Sequence, residues 1–175
     1  MHPHLGPVVG VLIALTWTEV AAQQSACSLL TSGDIEAVTG AKAREPHKTD
    51  MVIPEGPAKG QTLNGCMWAV GDQGMVAVSM MPAPKGPARE AGLAKLAEVY
   101  AALRAQHWTE EKKDFGNTTC SIMTPPPSTK DAPILSGCVA EARGMGLSVG
   151  FMSPTKKLSI DQTKALLDKA IGRIR

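Results

Sequence analysis

Residues 62–81 read TLNGCMWAVGDQGMVAVSMM. Two extended segments, Thr62–Val70 and Met75–Met81, flank Gly71-Asp72-Gln73-Gly74, a turn built from the residues a hairpin prefers. A short connection of this kind joins antiparallel neighbours, so the sheet it belongs to is predicted to be mostly antiparallel.

The same reading extends outward in both directions. Upstream, Thr31 is placed to cap a short helix, with Asp34 at its third position, Leu30 and Ile35 spaced as a staple, and Gly40 placed to end it. A further extended segment is expected at Ala41–Lys48, followed by an exposed Pro- and Gly-containing loop over 50–60. Downstream, the breaker run Pro82-Ala83-Pro84-Lys85-Gly86-Pro87 leads into a helical pattern that reaches about Gln106. Leu93, Leu96, Tyr100, Leu103 and His107 recur at three- and four-residue steps along it, which predicts a buried face. Strands follow at Thr118–Thr124, Ile134–Ala142 and Met145–Met152. Pro125-Pro126-Pro127 separates the first two, and Arg143-Gly144 turns between the last two. Ser159 with Gln162 forms a capping box for a final helix. Its apolar stripe is Ile160, Leu167, Ala170, Ile171 and Ile174, while Lys164, Asp168, Lys169 and Arg173 are expected to face water.

The predicted order is α-β-β-β-α-β-β-β-α, an α+β fold with a mostly antiparallel sheet flanked by helices. The repeated helix-then-three-strands order has the form of an internal duplication, but no residue-level identity supports one. Residues 23–175 are read as one disulfide-bonded domain, because either half alone would expose a sheet face. The length of 175 residues suits that reading.

The chain opens with an address. Val8–Trp17, VVGVLIALTW, is an uncharged apolar run, about half the length a membrane-spanning helix needs and suited to the core of a secretory signal. Val20 and Ala22 supply the small pair that precedes a cleavage site, so residues 1–22 are read as a signal peptide and Gln23 as the first mature residue. HPHLGP places no Lys or Arg ahead of the apolar run, which marks the signal as atypical or the true start as lying upstream. A buried N-terminal strand or helix is the alternative for this segment. No other stretch is long and apolar enough to span a bilayer, so a periplasmic or secreted product is expected.

Cysteine usage agrees with export. Cys27, Cys66, Cys120 and Cys138 all follow the signal, and an even number in an exported chain implies bridges. Three pairings are possible; the sequential one, Cys27–Cys66 with Cys120–Cys138, ties neighbouring elements and is preferred. The spacings lack the C-x-x-C pairs of a zinc site. Lipidation of Cys27 is the other alternative, but Gln24 stands where lipoprotein signals place an aliphatic residue, and lipidation would leave an odd cysteine.

Ala26-Cys27-Ser28-Leu29-Leu30-Thr31, then Gly40, then Cys66-Met67-Trp68, resembles the opening of a family of exported bacterial proteins known chiefly as actinobacterial lipoproteins of unknown function. The resemblance covers about the first third of the chain. It implies export and a Cys27–Cys66 bridge and lends no catalytic residue. This chain departs from the family in its lipid-attachment signal and in carrying Cys120 and Cys138.

Composition excludes several functions. A formal charge of +2, rising to +3 once the signal removes one acid (Glu19) and no base, does not suit electrostatic capture of nucleic acid. Six aromatic residues are too few for a single-strand binder. Gly146-Leu147-Ser148-Val149-Gly150 matches the nucleophile elbow of serine hydrolases. Yet Met145, Leu147, Val149 and Phe151 alternate with the small residues as in a continuing strand, and every His precedes Ser148 in the chain. The small residues are read instead as a smooth sheet face on which a helix sits closely. Nine methionines raise copper(I), but they are scattered and are read as core filler. His47 and His107 stand alone, Glu110-Glu111-Lys112-Lys113-Asp114 reads as a solvated connection, and Lys156-Lys157 as surface. Trp68 is expected to pack over the bridge at Cys66. No Walker loop, G-x-G-x-x-G or H-E-x-x-H motif is present.

The sequence thus points to an exported, non-catalytic binding or accessory protein of the bacterial cell envelope. No catalytic, cofactor-binding or metal residue is assigned. The expected partner is an envelope or extracellular protein or a small ligand. A secreted enzyme inhibitor, presenting the loops at 50–60 and 125–133, is one alternative; a small serine hydrolase using Ser148 is another.

Overall fold

The computed structural model describes residues 24–129 and 131–175. The expected signal, residues 1–22, lies outside the described residues.

A 3-10 turn at Ala26–Ser28 is followed by α1 (Ser32–Thr39), the short strands β1 (His47–Lys48) and β2 (Met51–Val52), and the hairpin β3 (Thr62–Val70) and β4 (Gly74–Pro82). Then come α2 (Pro87–Ala105), β5 (Thr109–Phe115), β6 (Thr118–Thr124), β7 (Ile134–Ala142), β8 (Met145–Ser153) and α3 (Ile160–Gly172). The sheet is antiparallel throughout, in the order β1-β3-β4-β8-β7-β6-β5, with β2 also on β3. The two halves of the chain therefore join at the centre, where β4 pairs β8 over Met75–Pro82.

The α+β class and antiparallel sheet are those expected, with two differences in detail. Ala41–Lys48 carries only an isolated bridge from Ala43 to Val70 before β1, and β2 follows it. The charge run at 110–114 is not a connection but the body of β5, paired to β6 from Thr109↔Thr124 to Phe115↔Thr118. The physical reason is position: β5 is an edge strand, where charged side chains blunt association and apolar alternation is not required.

Alternation gives the sheet two unlike faces. The inner face carries Cys66, Trp68 and Val70, Val76, Val78 and Met80, Leu147, Val149 and Phe151, and Cys138 and Cys120. Leu29, Leu30 and Ile35 from the α1 region, and Leu158, Leu166, Leu167 and Ala170 from the α3 region, complete this core. Ser136 is buried there and donates from Oγ to the Leu158 carbonyl at 3.0 Å. Cys27 is bonded to Cys66 and so fixes the 3-10 turn to β3; Cys120 is bonded to Cys138, its direct partner across β6 and β7. Trp68 lies two residues from Cys66 on the same face and is 1% exposed.

Both predicted capping boxes are formed, Thr31 with Asp34 at α1 and Ser159 with Gln162 at α3. Gly40 closes α1 in the left-handed region, at φ 65°. Lys169 and Arg173 are water-exposed as expected and also reach across to α1. Arg173 Nη1 donates to Asp34 Oδ2 at 2.6 Å and to the Leu29 carbonyl at 3.0 Å, and Lys169 Nζ donates to Asp34 Oδ1 at 3.2 Å. Asp34 thus caps α1 and clamps it to the end of α3. The Arg173 guanidinium holds its carboxyl well below the usual carboxylate range.

A depressed folded-state pKa means that the contribution is complete above the unfolded value, about 3.9, and is lost as pH falls through and below it. Asp34→Asn is expected to lose about 1–3 kcal/mol at neutral pH through the cap and the charged bonds together. Chemical denaturation from pH 7 down to pH 2.5 checks this, because the difference between the two proteins should shrink below about pH 4.

Helix α2 departs most from expectation. Its periodic face predicted burial, yet no α2 residue is buried, and Leu93, Leu96 and Val99 are 58%, 44% and 49% exposed. Tyr100 and Leu103 are only half-buried, and His107 is exposed. Periodicity establishes that a helix has an apolar face; it does not establish what covers that face.

Candidate binding face

The outer face of the sheet is built from three rows of cross-strand partners over β3, β4, β8, β7 and β6. One row runs Met67, Ala77, Gly150, Gly137 and Ser121. The row on one side is Ala69, Met75, Met152, Leu135 and Met123; on the other it is Gly65, Ser79, Ser148, Val139 and Thr119. None of these side chains is charged. Charge borders these rows, at Glu141 of β7 opposite Gly146 and at β5, where Glu110, Lys112 and Asp114 stand opposite Met123, Ser121 and Thr119.

The face is covered at one end. Tyr100 on α2 shares a hydrogen bond with Ser121 Oγ at 3.1 Å, and Arg104 Nη1 donates to Glu110 Oε2 at 2.7 Å. Ser121 and Met123 beneath are 9% and 3% exposed. Toward β7, β8 and β4 the cover ends: Val139 is 45% exposed, and Met75, Ala77, Ser79, Ser148, Gly150 and Met152 are all partly exposed. A Cβ added at Gly137 or Gly150 would meet only neighbouring strand backbone, at 3.8 and 3.7 Å. The expectation that a helix sits closely on these small residues is therefore corrected: within 4 Å there is no helix above them.

The methionine expectation is corrected in the same place. Met80 and Met123 are buried, but Met67, Met75, Met81 and Met152 are only partly so and share the outer face by register. Met75 is opposite Met152, and His47 is opposite Met67. These soft donors are spread over three cross-strand rows rather than gathered in a ring, and among the described residues no cluster of three His, Cys, Asp or Glu side chains is placed to hold a metal. The flexible thioether surface is instead of the kind that adapts to a variable partner.

Ser148 lies in the middle of β8, in extended backbone, and its Oγ is 2.7 Å from Ser79 Oγ. A nucleophile elbow requires a strand-to-helix turn, which is absent here, and His47 is three strands away on β1. Two hydroxyls sharing one hydrogen bond leave one O–H donor free. That proton is a polar handle in the otherwise apolar floor.

Three cationic side chains flagged by the sequence or flanking the helices are engaged. Lys156 Nζ donates to the Thr39 carbonyl, Lys157 pairs with Glu111, and Arg143 Nη1 donates to the Ile174 carbonyl at 2.6 Å. Among the described residues, no helix is long and apolar enough to cross a membrane.

No family model matches the chain, and no curated protein matches it. The fold is similar to that of the extracellular domain of PknH from Mycobacterium tuberculosis. The TM-score is 0.58 at 15% sequence identity, over 88% of this chain and 96% of that one. At that identity the likeness concerns the arrangement of the chain and carries over no residue role.

Proposed function

We propose that this protein is an exported, non-catalytic binding or accessory module of the bacterial cell envelope, and that its working surface is the outer face of β3, β4, β8 and β7. The observation that carries the reading is the partly exposed, uncharged floor of Ala77, Ser79, Ser148 and Gly150, bordered by Met67, Met75, Met81 and Met152. Burying such a face against a partner releases water from apolar surface. Export is supported by the signal-like start and the two bridges. The fold shared with an extracellular domain is compatible with that location, as is the resemblance of the first third to actinobacterial lipoproteins.

The test uses the protein secreted by its host and Ala77→Arg, which places a charge at the centre of the face. The variant should keep the wild-type melting temperature within about 2 °C, because the site is partly exposed. Chemical cross-linking in the intact envelope should give a defined adduct with the wild type, and Ala77→Arg should reduce its yield at least tenfold. An adduct of undiminished yield would move the working surface elsewhere. Labelling by a fluorophosphonate that disappears in Ser148→Ala would replace the binding reading with a serine hydrolase.

A further inference from the structure

Two apolar surfaces of this molecule are open, the stripe Leu93, Leu96 and Val99 on α2 and the outer face of the sheet, and the Tyr100–Ser121 contact joins the elements that carry them. We infer that α2 is a movable cover that closes over the outer face, so that it is the built-in occupant of the surface any partner must take. The inference rests on the reading of that face as the binding surface.

Dimensions fit. An α-helix of 19 residues is about 28 Å long, and a strand of nine residues such as β4 or β8 is about 30 Å long. The floor is shaped for a helix, because Gly137, Gly146 and Gly150 have no heavy atom within 3.6 Å of an added Cβ, leaving the space above them open. Charge permits the contact as well. The rows through Gly137 and Gly150 carry none, Glu141 stands at the border opposite Gly146, and the Lys95–Glu98 and Arg104–Glu110 pairs already neutralise two cations of α2.

The attachments of α2 are asymmetric, as a cover requires. Its C-terminal end is anchored by the Tyr100–Ser121 and Arg104–Glu110 contacts. Its N-terminal end begins at Gly86, which has φ 54° and ψ −137° and makes no side-chain cap. Ala83 is still held to the Gly144 carbonyl at 2.8 Å, so only Pro84, Lys85 and Gly86 separate the sheet from the helix. Three residues span about 10 Å, enough to carry the N-terminal half of α2 onto the floor while Tyr100 stays seated. His107, at φ 63°, turns the chain at the other end. The Met-lined rim accommodates the leucines without a fixed register.

Closure makes the face self-covering, and a partner would compete with α2 for it. Methyl NMR on protein labelled with 13C at the methionine ε-methyl and leucine δ-methyl groups tests this. The wild type should show cross-relaxation between the Met75 or Met152 methyls and those of Leu93 or Leu96. The triple variant Leu93→Ser, Leu96→Ser, Val99→Ser should shift the Met67, Met75, Met81 and Met152 resonances and leave the core Met80 unmoved. Absence of the cross-relaxation with unchanged methionine resonances would overturn the cover; should the triple variant not fold, the wild-type cross-relaxation alone decides. No partner enters this experiment, so its outcome is separate from that of Ala77→Arg in the envelope.

Discussion

Replacing Cys27 and Cys66 together by Ser is expected to lower stability by about 4 kcal/mol, the loop-closure value for a bridge across 39 residues. For a domain of this size that corresponds to a fall in melting temperature of about 8–16 °C. The effect should exceed that of losing Cys120–Cys138, which closes 18 residues and contributes about 3 kcal/mol in the same model. The two bridges also differ in what else would hold their elements together. Cys120 and Cys138 sit on paired strands that the β6–β7 ladder keeps adjacent. Cys27 sits in a three-residue 3-10 turn whose hold on β3 depends on the bridge and on the buried Ala26, Leu29 and Leu30. Urea denaturation of the two double-serine variants, monitored by circular dichroism, checks the order. If the Cys120–Cys138 variant were the less stable, the entropic account would be wrong for this protein.

Trp68→Ala is expected to cost about 3–5 kcal/mol, the range for removing a large aromatic side chain from a core. Trp68 is 1% exposed and sits on the inner face of β3 beside Cys66, against a cluster contributed by α1, α3 and four other strands. No neighbour can fill its volume, because the flanking partners Val76 and Cys66 are held by the strand ladder and by a covalent bond. Val52→Ala on β2 is the matched control: it removes an apolar side chain that is 61% exposed and should change stability by less than about 1 kcal/mol. Equilibrium denaturation of both variants gives the comparison. Equal losses would mean that Trp68 contributes no more to the core than an exposed edge residue does, contrary to the burial seen here.

Much of the local structure was legible from neighbouring residues. The Gly71–Gly74 turn, the Thr31/Asp34 and Ser159/Gln162 boxes and the strand segments on either side of Arg143-Gly144 each declare themselves within a few positions, because turns and caps are satisfied by groups a few residues apart. Strand β5 was not legible. An edge strand has no need of apolar alternation, so Glu110–Asp114 carries the pattern of a solvated loop while pairing with β6. The clamp from Asp34 to Arg173 joins residues 139 positions apart; the cap role of Asp34 is readable locally, but nothing near either residue announces the pair.

The candidate face shows the same division. That Ser148 and its flanking glycines belong to a strand followed from alternation alone. That they share a surface with Met75, Met152 and Ala77 did not, since these residues come from separate strands and meet only through the β4–β8 and β7–β8 registers. The sequence by itself determined the α+β class, the hairpins and the helix caps, because each rests on periodicity or on bonds between near neighbours. Tertiary structure decided which faces are covered, where α2 stands and which side chains assemble on the outer face, because burial and register are set by pairing between segments far apart in the chain.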